Sequence, residues 1–117
     1  MLKEEVYDAF AELIYTVVMA DGIVKEPEKS AIEKIVKNHP IAQLIQRYFD
    51  SNQKDVSIAQ SFLHAFEVCK ENGPDTEYPF LIHLVEEISK VSEGLDGEED
   101  GLLTEFVRNF KRKFTSN

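Results

Sequence analysis

The chain has 117 residues, enough for one hydrophobic core and too few for two, and its hydrophobic fraction of 43% with 30% charged residues excludes a disordered chain. A formal net charge of −9 repels phosphate backbones, so nucleic acid is not an expected partner. The lone cysteine, Cys69, excludes an intramolecular disulfide and the disulfide-rich secreted classes.

Apolar residues recur at helical spacing along almost the whole chain. A first helix is predicted from about Leu2 to Ala20, with Val6, Phe10, Leu13, Ile14, Val17 and Val18 as its buried stripe. Asp21-Gly22 ends it, glycine being a natural left-handed cap. Pro27 fits the first turn of a second helix that carries Ala31, Ile32, Ile35 and Val36 inward. Asn38-His39-Pro40 breaks that helix, and Pro40 opens a third with Ile41, Leu44, Ile45 and Tyr48 as its apolar set.

After the polar loop Asp50-Ser51-Asn52-Gln53, a fourth helix begins near Ser57, which has capping-box spacing to Gln60. Ile58, Phe62, Leu63, Phe66 and Cys69 are expected on its inner side. Asn72-Gly73-Pro74 stops it. The fifth helix starts near Thr76, tolerates Pro79 in its first turn, and carries Phe80, Leu81, Leu84, Val85, Ile88 and Val91. Gly94-Leu95-Asp96-Gly97 closes it. The sixth starts near Glu98 or Glu99 and buries Leu102, Leu103, Phe106, Val107 and Phe110. No segment alternates with period two, so no sheet is predicted. The expectation is an all-α fold, a compact bundle of about six helices forming a single domain over residues 1–117.

The chain contains a weak internal repeat. Each copy is a long apolar helix, an Asp-Gly junction, an acidic start and a short helix. Glu28-Lys29-Ser30-Ala31-Ile32 aligns with Glu99-Asp100-Gly101-Leu102-Leu103, the second copy being shorter after its Asp-Gly. An aspartate at a helix carboxyl end meets like partial charge, a loss on the order of 0.3–1 kcal/mol, so Asp21 and Asp96 each need an explanation. One explanation is local: a carboxylate that accepts backbone N–H groups or caps the next helix. The other is a cation. Free helix-end carbonyls and carboxylates are hard oxygen ligands suited to calcium or magnesium, and Glu28, Glu99 and Asp100 stand close in sequence to add more.

Met19-Ala20-Asp21-Gly22-Ile23-Val24, followed by Glu28 and the Ala31-Ile32-Ile35 stripe, resembles the first signature of the tellurite-resistance TerB-like domain. Val91 through Leu95-Asp96-Gly97, then Glu99 and Leu102-Leu103, is similar to the second. The resemblance covers nearly the whole chain. It implies an all-helical bundle with an internal pseudo-twofold repeat and a stress-response or tellurite-resistance role. It also implies metal binding by Asp21, Glu28, Asp96 and Glu99. The chain departs from the pattern in its shortened second junction and in the extra acids Glu98 and Asp100.

Asp96, Glu98, Asp100 and Gly101 also fit positions one, three, five and six of an EF-hand loop. The match fails at position twelve, where Val107 stands instead of a bidentate glutamate. His83 with Glu87, and His64 with Glu67, share helix faces but are two-residue matches, and His39 sits at a helix break. Cys69, Phe62, Phe66 and Phe80 read as core residues, and Arg108, Lys111, Arg112 and Lys113 as cations completing a helix carboxyl end. No nucleophile elbow, catalytic triad order, phosphate-binding glycine loop or Cys-x-x-Cys is present, so an enzyme is not expected. The amino terminus, Met-Leu-Lys-Glu-Glu-Val, has acids where a signal peptide has bases, and no apolar run nears the roughly 20 residues of a membrane span. The sequence therefore reads as a cytoplasmic, non-enzymatic binding module without membrane insertion. Its partners would be a divalent cation, another protein, or both. A scaffolding domain with an acidic docking surface and no ligand is the alternative.

Overall fold

A computed structural model describes residues 4–20, 25–51, 57–91 and 97–115. The Asp21-Gly22 junction and Asp96 lie outside the described residues, as does the start predicted for the first helix at Leu2. Six α-helices make up the described chain: α1 Glu4–Val18, α2 Glu26–Ile35, α3 Ile41–Ser51, α4 Ile58–Asn72, α5 Tyr78–Val91 and α6 Gly97–Phe110, followed by a π-helical turn, Lys111–Thr115. No strand occurs among the described residues, as the helical spacing predicts. No described helix is long and apolar enough to cross a membrane.

The first helix is more central than its stripe suggests. Tyr7, Ala9, Ala11, Tyr15 and Thr16 are buried along with the predicted Val6, Phe10, Leu13, Ile14, Val17 and Val18. A helix buried on nearly all sides has to be surrounded, and α3, α4 and α5 pack around α1. Its small residues, Ala9 and Ala11, let neighbours approach on the sides that the stripe leaves out. A polar contact between buried side chains of α1 and α4 is satisfied. Thr16 Oγ1 lies 2.9 Å from Ser61 Oγ on α4 and donates to the Glu12 carbonyl at 2.8 Å.

Local signals set the helix ends. Ser57 Oγ accepts the Gln60 N–H at 3.3 Å, capping α4. Gly73 closes the same helix at φ +75°, a left-handed conformation that costs glycine little, and its N–H donates to the Cys69 carbonyl at 2.9 Å. Asn38, at φ +66°, turns the chain between α2 and α3.

Three residues expected inside are at the surface. Leu63 is 64% exposed, Leu102 40% and Phe80 38%. Each lies at helical spacing from core residues, but at the edge of an apolar stripe wider than the surface its neighbours cover. The centre of the α4–α6 contact is aromatic: Phe62 stacks on Phe106 at 4.8 Å, and Phe110 and Phe114 both reach Tyr78 on α5.

Candidate functional site

Glu28 is the third residue of α2, behind Lys25, Glu26 and Pro27. Pro27 suits this turn because its missing N–H would have had no partner there. The Glu28 carboxylate folds back, and its Oε1 accepts the Lys25 backbone N–H at 3.0 Å. This is half of a capping box: lysine has no side-chain acceptor with which to return the bond. The position also places a negative charge at the positive end of the helix dipole.

The second oxygen is the unusual one. Glu28 is 3% exposed, and its Oε2 is buried with no hydrogen-bond partner. Among the described residues, the other buried polar side chains, Thr16 and Ser61, bond to each other. A buried acceptor left unmade costs roughly 1–3 kcal/mol, and more when it is charged. A hard cation coordinated by that oxygen would remove the cost.

The second junction differs. Gly97 is already the first residue of α6, and residues 97–110 form continuous helix. Positions two to twelve of the supposed EF-hand loop are therefore helical, and their carbonyls are committed to the helix rather than turned toward a cation. Glu99 is half-buried and Asp100 exposed. Both sit in the first turn of α6, where the dipole accounts for acids without a ligand. Glu28, Glu99 and Asp100 are not brought together: no group of three or more acidic, histidine or cysteine side chains suited to a metal occurs among the described residues. Asp21 and Asp96, the remaining candidates, lie outside those residues.

The histidines have ordinary partners. His83 faces Glu87 at 3.9 Å as the spacing predicts, whereas His64 faces Glu12 on α1 at 3.5 Å. His39 has a larger role than a helix break. Its Nε2 meets Glu77 Oε1 at 2.8 Å, and its Nδ1 accepts the Ile41 N–H at 3.1 Å, which places the imidazole proton on Nε2. Tyr7 donates to the other Glu77 oxygen at 2.5 Å, and Phe80 stacks on the imidazole at 4.8 Å. An acid, an imidazole and a phenol in one chain of bonds have the composition of a general-base site. Here, however, both imidazole nitrogens and both carboxylate oxygens are engaged internally, so the group works as a clasp between α1, the α2–α3 link and the start of α5. Nothing in the sequence points to it. Tyr7 and Glu77 are far apart along the chain, and only the Asp75 turn that aims Glu77, through its N–H donated to Asp75 Oδ1 at 2.8 Å, is a local signal.

Cys69 is buried, as its apolar helix implies. Burial pushes its thiol up to about 12, offset in part by a hydrogen bond with Tyr78, which keeps it protonated at neutral pH. Between α4 and α6 an apolar groove of about 410 Å³ runs along the surface, with Leu63, Phe66, Leu102 and Phe106 among its lining. No protein-family model, curated protein or solved structure matches the chain.

Proposed function

We propose that this chain is a TerB-like, non-enzymatic module of the cytoplasm that binds a divalent cation, calcium or magnesium, at the acidic start of α2. It would act in a stress response of the tellurite-resistance type through a protein partner. The observation that carries the cation is the Glu28 Oε2, a buried carboxylate oxygen without a partner. Calcium takes six to eight oxygens and magnesium six, so Glu28 supplies only part of the set. Asp21, the acid that precedes α2 in the first signature, is the second protein ligand in this reading, and water completes the shell. The cation would neutralise a buried charge and tie α2 to the preceding junction.

Thermal unfolding with calcium, with magnesium and with chelator tests it. At a free cation concentration about 100 times the dissociation constant, native-state binding adds about 2.7 kcal/mol, on the order of 10 °C in the midpoint. Glu28→Gln keeps an acceptor for the Lys25 N–H and removes the charge. Its midpoint is expected to be the same with cation and with chelator. A wild-type midpoint that ignores both cations favours the scaffolding alternative, in which the acidic surface itself docks a basic partner.

A further inference from the structure

We propose that the α4–α6 groove is the contact surface of a two-fold symmetric dimer of this chain. The floor of the groove is the Phe62–Phe106 stack. The next ring contact along, Phe66 with Phe114, lies further along α4 and in the π-helical turn that continues α6, so α4 and α6 run in the same direction. Along α6, Leu102 lies one turn before Phe106 and Glu98 two turns before it, about 6 and 12 Å back at 1.5 Å per residue. Along α4, Phe66 lies one turn beyond Phe62 and Lys70 two turns beyond, about 6 and 12 Å forward. Leu63 stands beside the centre, 64% exposed.

The groove therefore reads acid, apolar, apolar centre, apolar, base, with equal spacing either side of the stack. Glu98 and Lys70 are both exposed, and Lys113, one turn past Asn109, adds a second exposed cation at the basic end. A two-fold axis through the centre reverses this order. It lays Glu98 of one copy over Lys70 and Lys113 of the other, Leu102 over Phe66, and the two Leu63 side chains near the axis. Isologous contacts require such self-complementarity. A basic helix from another protein would meet like charge at Lys70 and Lys113, and an acidic one at Glu98. The chain's net charge of −9 opposes association at long range, but screening confines charge effects to about 8 Å at physiological ionic strength, where the opposed ends meet. A groove of this size is below a permanent interface, so the association is expected to be weak and concentration-dependent.

Sedimentation equilibrium of the full chain from about 10 µM to about 1 mM tests this, against a monomer mass of 13.4 kDa. The expected result is a concentration-dependent rise toward twice that mass. Leu63→Asp, at a position outside the core, is expected to weaken association by roughly tenfold or more. Lys70→Glu and Glu98→Lys are each expected to weaken self-association, whereas mixing the two variants restores it, since each then presents the partner of the other's charge. The chain carrying both substitutions associates more tightly than either single variant but less than wild type, because Lys113 then meets a like charge. Circular dichroism confirms that every variant is folded. A wild type monomeric to the highest concentration overturns the proposal, and so does association indifferent to Leu63→Asp. A mixture of the two charge variants no more associated than either alone overturns it as well.

Discussion

The acidic starts of α2 and α6 are a matched pair in the sequence and an unmatched pair in the structure. Glu28 is 3% exposed, whereas its counterpart Glu99 is half-buried and the neighbouring Asp100 is exposed. Their hydrophobic companions do match: Ile32 is 2% exposed and Leu103 4%. Two short helices can thus seat an equivalent apolar residue equally deeply while one acid is sealed and the other left near water. The cause is the approach to each helix. Before α2, the Lys25 N–H draws the Glu28 carboxylate inward. α6 is helical from Gly97, and its acids lie along the first turn. Among the described residues, only the sealed carboxylate has a buried oxygen without a partner.

The largest expected effect tests where the two copies agree. Ile32→Ala and Leu103→Ala are each expected to lose about 2–4 kcal/mol in chemical denaturation, with similar values for the two. A difference of more than about 2 kcal/mol would mean that the sequence alignment does not pair their environments. Next is the point of disagreement. Glu28→Gln is expected to abolish a cation-dependent midpoint shift on the order of 10 °C, while Glu99→Gln and Asp100→Asn retain it. Loss of the shift in Asp100→Asn would return the second junction to the site.

The depth contrast extends to protons. Burial raises Tyr15, Tyr48, Cys69 and Tyr78 above their usual values, with the Asp8 and Glu12 charges adding to the effect at Tyr48. Each group keeps its proton in the native state at a pH where the unfolded chain has released it. The native state then binds more protons, and stability falls as pH rises. This contribution is complete below about pH 9 and is lost progressively toward pH 12, so the thermal midpoint should decline across that window. In the same window, spectrophotometric titration should show tyrosines ionising late and together with unfolding. A midpoint flat to pH 12 would mean that these groups ionise without unfolding.

The smallest effect belongs to the exposed junction. Gly101 lies inside α6, and an added Cβ would meet nothing within 4 Å. Gly101→Ala should therefore stabilise the protein by about 0.5–1 kcal/mol, from backbone entropy alone. In an EF-hand loop the same change would be damaging, because that glycine makes the sharp turn. A loss of stability here would argue for a turn that α6 does not contain.

The helices were legible because each has two independent signals, an apolar period and a terminal residue with a physical task. Ser57, Gly73, Asn38 and Pro27 each do at their helix ends what their chemistry implies. The all-α class followed from period alone. Depth was not legible. Leu63, Leu102 and Phe80 have the spacing of core residues and remain at the surface, while Glu28, which reads like any first-turn acid, is sealed. Periodicity reports which side of a helix faces inward, but not how far a neighbour extends over that side. The clasp of Tyr7, His39 and Glu77 was hidden for a related reason, since its members come from three places in the chain and share no local pattern. Residue order and short-range chemistry therefore determined the helices, their ends and the candidate acids. Only the packing of α2 into the bundle decided which acid lost its water, because solvation depends on neighbours distant in sequence.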